Sequence, residues 1–268
     1  MNKVLITGAA SDVAGRLRAF LKDAYPRIRW SDIRRPAGLA RDDEFVHADL
    51  ADRDAVARLV EGVDGIVHLG GFTADGEWEN VLAINIDGLF RLFDSAYRAG
   101  VKRIVFASSN HAVGFYPRSQ KIGVDVKVRP DSRYGLSKAF GEALGAFYAD
   151  KHGLRVTCIR IGYVDDMPID RRRLSIWVRP DDLMQLVRIG LEHPELRYEI
   201  FYGVSNNDAS FYDNSNAYKF GYTPVGNSEA FRAQVLAMDN QRPTDPVAEV
   251  FQGGPFASFE YDADKRRD

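Results

Sequence analysis

Tyr134 and Lys138 carry the most telling chemistry in this chain, in the run Tyr134-Gly135-Leu136-Ser137-Lys138. Residues four apart on a helix share a face. A free phenol, with a pKa of about 10, is a poor base at neutral pH. A neighbouring ammonium favours the phenolate and moves that pKa toward the working range. A helix N-terminus at the same place adds a positive field. Alone, such a pair is also what two ordinary surface residues look like. Ser109, 25 residues upstream, closes Phe106-Ala107-Ser108-Ser109, where a hydroxyl can hold the oxygen of a reacting alcohol. Asn85 stands between Ile84 and Ile86. A polar group there serves a proton relay or satisfies a neighbouring backbone. Ser109, Tyr134 and Lys138, in this order, make a dehydrogenase or epimerase site.

The N-terminus carries the signs of a dinucleotide site. A short apolar run is followed by Thr7-Gly8-Ala9-Ala10-Ser11-Asp12-Val13-Ala14-Gly15. Small residues after a first strand let a pyrophosphate approach the N–H groups of a helix N-terminus. Gly8, Ala10, Asp12 and Val13 are the contacts expected here. Against a G-x-x-G-x-x-G pattern, Gly8 fits, while Ser11 and Ala14 stand at the second and third glycines. Asp32, 24 residues beyond Gly8, is placed to accept from a ribose diol. Its charge would repel a 2′-phosphate, so NAD is expected over NADP. Ile33 and Arg34 follow it, and Arg34 with Arg35 keeps NADP open as the alternative. Asp49 and Leu50 are placed at the adenine rim. Leu69, Gly70 and Gly71 border the pyrophosphate and nicotinamide ribose. The same lysine, Lys138, can hold that ribose beside Tyr134. Gly162, after a later strand, completes the cofactor set.

The elements that must position these residues alternate. Val4-Leu5-Ile6, Ile28-Arg29-Trp30, Phe45-Val46, Gly65 to Leu69, Arg103 to Ala107 and Arg155 to Ile161 read as six strands. Val13 to Ala24, Ala55 to Val60, Glu77 to Ala99 and Ser132 to Lys151 read as helices between them. Nearly continuous apolar strands alternating with helices predict an α/β fold with a doubly wound parallel sheet. Residues 1–165 are expected to form this Rossmann domain with the Ser-Tyr-Lys set. Residues 166–268 are expected to form a small, aromatic-rich substrate region packed on it. Within it, Pro180 to Leu191 and Asn227 to Met238 look helical and Tyr198 to Tyr202 strand-like.

Composition bounds the rest. The 268 residues are 45% hydrophobic and 28% charged, with a formal net charge of −2. That balance gives no general attraction to nucleic acid or acidic lipid. A single cysteine, Cys158, excludes an internal disulfide framework. The five histidines, His47, His68, His111, His152 and His193, are scattered without ligand spacing, so no metal is expected. The opening Met1-Asn2-Lys3 and its short apolar run are too brief for a signal segment. No run suffices for a membrane helix. A cytoplasmic enzyme is the expectation, and Lys265 to Asp268 a frayed end.

With these residues in view, a resemblance emerges. Residues 1–165 resemble the extended short-chain dehydrogenases/reductases, and nearly the whole chain resembles the uronate dehydrogenases among them. The segments that carry it are Asp64 to Gly71, Ile104 to His111, Arg129-Pro130-Asp131, Asp213-Asn214-Ser215 and Phe251-Gln252-Gly253-Gly254. The resemblance implies NAD-dependent oxidation of C1 of glucuronate or galacturonate to the aldarolactone. It implies sugar contacts from Thr73, Ser109, Asn110, His111 and Tyr134, and from an arginine that falls on Arg172. A guanidinium fork suits a planar carboxylate. One departure stands out. That family has Gly-Ser-Cys where this chain has Gly162-Tyr163-Val164, which puts a bulky Tyr163 beside the sugar's acidic end, followed by Asp165 and Asp166. A sulfonated sugar such as sulfoquinovose, or a neutral aldose, is therefore an alternative substrate. A nucleotide-sugar epimerase or a redox sensor that binds NAD without chemistry are rival readings. By analogy with that family a homo-oligomer is expected.

Overall fold

The computed structural model describes residues 1–73, 76–239 and 244–262, and the tail Lys265 to Asp268 lies outside them. The elements run β1 (Val4–Thr7), α1 (Asp12–Ala24), β2 (Ile28–Asp32), β3 (Glu44–His47), α2 (Arg53–Leu59) and β4 (Gly65–His68). Then come α3 (Trp78–Asn80), a π-helical segment (Val81–Gly88), α4 (Leu89–Arg98), β5 (Arg103–Ser109) and a 3₁₀ turn (Asn110–Val113). After α5 (Arg133–His152) follow β6 (Arg155–Ile161), β7 (Tyr163–Val164), α6 (Arg173–Ile176), β8 (Trp177–Val178), α7 (Pro180–Glu192) and β9 (Tyr198–Gly203). The chain continues through α8 (Ser215–Lys219), a 3₁₀ turn (Ser228–Phe231), α9 (Arg232–Asp239), α10 (Pro246–Val250) and α11 (Pro255–Ser258).

Seven parallel strands form the main sheet in the order β3-β2-β1-β4-β5-β6-β9. The direction of winding reverses between β1 and β4, and the C-terminal ends of strands at such a crevice are where ligands bind. Period-two alternation sends Val4 and Ile6 to one face and Leu5 to the other. On the first face they pack with Leu17 of α1 and with Leu183, Leu186 and Val187 of α7. On the second, Leu5, Ile66, Ile104 and Phe106 pack with Leu92 and Phe93 of α4 and Leu144 and Tyr148 of α5. The fold is thus the doubly wound α/β sheet expected from the strand–helix alternation. Among the described residues no helix is long and apolar enough to cross a membrane.

Two features differ from the linear reading. The sheet does not end with residue 165: β9 is its seventh strand, paired to β6, and α7 covers one of its faces. A division at 165/166 therefore cuts through a shared core. Glu77 to Ala99 is also not one α-helix, because Val81–Gly88 is π-helical. Such a widened turn commonly marks a functional site, and here it holds Asn85.

Candidate active site

The Ser132 hydroxyl caps α5 by accepting from the Gly135 N–H at 2.9 Å, which fixes where the helix begins. Gly135 lies so close to the His111 carbonyl that a Cβ there would fall 2.3 Å from its oxygen. This approach brings the first turn of α5 against the 3₁₀ turn that follows β5. The Ser109 hydroxyl lies close enough to Tyr134 to act on its phenol, favouring the ionised form. The Lys138 ammonium lies 5.3 Å from the centre of the Tyr134 ring and donates to the Ala107 carbonyl at 2.8 Å. The three residues paired by sequence are therefore together in space.

Their electrostatics depart from the sequence-based expectation. Burial pushes Tyr134 up to about 12, outweighing the opposing Ser109 hydrogen bond, and nearby Asp131 adds to the rise. Burial alone pushes Lys138 down to about 8. The ammonium does not lower the phenol here, because desolvation favours the neutral form of both groups. His68 is also neutral, held down to about 3 by burial and by Lys138. Its Nδ1 lies 2.6 Å from the Thr7 hydroxyl.

Asn85 uses its whole amide on structure. Its Oδ1 accepts from the Phe72 N–H at 2.7 Å, and its Nδ2 donates to the Phe72 carbonyl at 2.8 Å and to Ser137 Oγ at 3.0 Å. It ties the Gly70-Gly71-Phe72 loop to α5, one residue from Lys138. Of the two roles left open by sequence, these bonds belong to backbone satisfaction.

A cleft of about 360 Å³ runs along the strand C-termini, lined by Gly8, Ala10, Asp32, Ile33, Arg34, Asp49, Leu50, Leu69, Gly70, Gly71 and Thr73. Asp12 and Val13 lie in the first turn of α1, where backbone N–H groups have no intrahelical acceptor. The Asp32 carboxylate accepts from Ala10 N at 3.0 Å and Arg34 N at 3.2 Å, with further lone-pair sites left for a diol. Free N–H groups, a carboxylate and apolar Ile33 and Leu50 together fit a dinucleotide with a phosphate pair, a ribose diol and a flat base. Gly162 is not in that lining. It sits under α6, where a Cβ would fall 2.0 Å from the Ile176 carbonyl oxygen.

On the other side of Tyr134 lie the sugar candidates. Asn110, with its amide oxygen toward α6, accepts from Arg172 Nη2 at 2.9 Å and donates to the Ile161 carbonyl at 3.2 Å. Arg172 is only 8% exposed, and its Nε donates to the Gln252 carbonyl at 2.6 Å. Its partners are amide and carbonyl oxygens, and burial pushes it down to about 10. His111 Nδ1 lies 2.7 Å from Asp131 Oδ2. Thr73 is exposed at the rim. Tyr163 donates its hydroxyl to Asp165, its ring lies under the Arg173 guanidinium, and Asp165 is ion-paired to Arg16. The charge of Asp165 is thus committed away from Arg172.

Linear reasoning overlooked the C-terminal strap. Phe256 stacks on His111 at 4.1 Å and lies 6.1 Å from the Tyr134 ring. Gln252 anchors the strap by donating to the Pro117 and Gln120 carbonyls. Asp131 and Ser137, as partners of His111 and Asn85, were likewise unassigned. The only linear hints were the Arg129-Pro130-Asp131 and Phe251 to Gly254 segments.

A family model described as the NAD dependent epimerase/dehydratase family matches residues 4–164. The chain belongs to this family. Among relatives, it is 44% identical to a uronate dehydrogenase of Pseudomonas syringae pv. tomato over 96% of this chain and 94% of the other. A crystal structure of a uronate dehydrogenase mutant from Agrobacterium tumefaciens, complexed with NAD, is 39% identical. It matches with a TM-score of 0.91 over 96% of this chain and 97% of that one. A glucuronic acid dehydrogenase structure from Chromohalobacter salexigens also reaches 0.91, at 39% identity over 96% of each chain. In the family frame, the Tyr134–Lys138 face and the cleft beside it lie on the matched segment, whereas Arg172 and the strap lie beyond it.

Proposed function

We propose that this protein is an NAD-dependent dehydrogenase that oxidises C1 of a hexuronate, glucuronate or galacturonate, to the aldarolactone. One observation carries the substrate class: Arg172 is a buried cation whose hydrogen bonds among the described residues go only to the neutral oxygens of Gln252 and Asn110, with Asp170 acting on it through its field alone. A buried guanidinium without a carboxylate is costly until an anion arrives. A planar carboxylate at C6 supplies that anion bidentately.

NAD, held by the Gly8 to Val13 turn, Asp32, Leu50 and the Leu69 to Gly71 loop, supplies the hydride acceptor. Ser109 holds the C1 oxygen, and Tyr134, once ionised to the phenolate, takes the C1 hydroxyl proton and is returned to the phenol. The Lys138 ammonium stands where it can stabilise the phenolate as that proton moves. Asn110 and His111 bind ring hydroxyls, and Arg172 fixes the acidic end. Asn85 keeps the Phe72 loop and α5 in register, which places Lys138. The lactone leaves and hydrolyses in solution.

Steady-state kinetics of Arg172→Ala with glucuronate and glucose test the anion. KM for glucuronate should rise about 100-fold or more, the scale of a lost charged hydrogen-bonded pair, and far more than for glucose. Equal changes for both sugars would remove the anion-binding role and favour a neutral aldose.

A further inference from the structure

We propose that Asp131 is a positioning residue that sets the hydrogen-bond polarity of His111, so that His111 accepts a hydrogen bond from a sugar hydroxyl while Arg172 donates to the anion. The proposal rests on the uronate reading for the identity of the sugar, and on the geometry for the polarity.

Asp131 has no accessible side-chain surface. One carboxylate oxygen lies 2.7 Å from His111 Nδ1, and the other accepts from the Ser132 hydroxyl at 2.9 Å. Three glycines enclose it. A Cβ on Gly114 or Gly253 would lie 1.8 Å from Oδ2, and one on Gly135 would lie 3.1 Å from Oδ1. Gly253 N donates to the Gly114 carbonyl at 2.8 Å, which closes the C-terminal strap over the carboxylate. The mould admits an aspartate and nothing longer.

The imidazole is held from its other sides too. Phe256 stacks on one face at 4.1 Å with an interplanar angle of 29°, and the Tyr134 ring meets its edge at 5.9 Å. A carboxylate can only accept, so the proton of the neutral ring is on Nδ1. That leaves Nε2 with a lone pair, and among the described residues it makes no hydrogen bond. The sugar side of the site therefore has a fixed acceptor at His111 and fixed donors at Arg172, with Asn110, next to His111 in the chain, accepting from Arg172 Nη2. A uronate satisfies both in one orientation: carboxylate at Arg172, hydroxyl proton at Nε2. Reversed, its carboxylate would face a lone pair and a hydroxyl would leave the guanidinium unpaired.

Asp131→Asn is the test. An amide turned to donate to Nδ1 would move the ring proton to Nε2 and turn the acceptor into a donor. For Asp131→Asn, kcat/KM for glucuronate should fall about 10- to 100-fold, the scale of one mispaired buried hydrogen bond, chiefly through KM. NAD affinity should stay within twofold. In a His111→Ala background the same change should add nothing. Nitrogen-15 NMR of wild-type His111 should report Nδ1–H, and this reading needs no variant to fold. An Nε2–H tautomer in the wild type would overturn the proposal, as would an undiminished loss from Asp131→Asn when His111 is already alanine. A wild type with the Nδ1–H tautomer and no activity on glucuronate would sink the uronate reading instead, and with it the sugar assigned here.

Discussion

Lys138 and Tyr134 face each other across one helical turn, ammonium to ring centre 5.3 Å, inside a site that favours the neutral form of each. The phenolate–ammonium pair needed for proton removal is therefore disfavoured at rest. Desolvation opposes isolated charges, while a close partner offsets that cost only when both ionise together.

Tyr134→Phe removes the acceptor of the substrate proton but keeps the ring that lies against His111 and Phe256. Turnover followed by NADH absorbance should fall about 10²- to 10⁴-fold, the usual worth of a positioned acid–base group. NAD affinity should be nearly unchanged. Turnover near the wild-type value would refute the base assignment.

Lys138 gives a stability prediction with a definite sign. Burial pushes its folded pKa down to about 8, from 10.5 for an ordinary lysine. Unfolded chains thus bind more protons between these values, and stability from this group rises with pH across that window. Below pH 8 the full burial cost is present. Lys138→Met should raise unfolding free energy at pH 7 by about 2 kcal/mol, net of the lost bond to Ala107. Urea melts should show the gain shrinking toward pH 10.5, while activity is lost throughout. A variant less stable than wild type at pH 7 would show that the hydrogen bond outweighs desolvation.

Behind the site, Glu142 of α5 grips Arg160 of β6 with two bonds of 2.9 Å and accepts from Ser108 of β5 at 2.6 Å. The pair is almost wholly buried. Glu142→Gln strands a guanidinium in the core, and chemical denaturation should register a loss of about 3–5 kcal/mol. A loss below 1 kcal/mol would mean that water reaches Arg160.

Cofactor choice is expected to turn on Asp32. Its carboxylate closes the β2 end of the cleft, with Arg34 exposed beside it. Asp32→Asn should raise the NADP-to-NAD ratio of kcat/KM by about tenfold or more, through loss of repulsion toward a 2′-phosphate. An unchanged ratio would place the discrimination elsewhere in the cleft.

The strand–helix alternation, the turn after β1, the Asp32 position and the Tyr134–Lys138 spacing were legible in the sequence because they are local. Side-chain periodicity and helical geometry fix them without knowledge of distant partners. The membership of β9 in the sheet was not, since pairing with β6 joins Tyr198 to Val156 across α6 and α7. Nor was the role of Asn85, which depends on the Phe72 backbone and Ser137 reaching it from other elements. The direction in which burial moves Tyr134 runs against the local argument from its lysine neighbour, because how much water a fold excludes is a property of the whole packed site. The neutral partners of Arg172 and the Phe256 strap over His111 are long-range facts of the same kind. Spacing along a chain sets which groups can meet, and only the closed tertiary structure sets the dielectric and the company in which they meet.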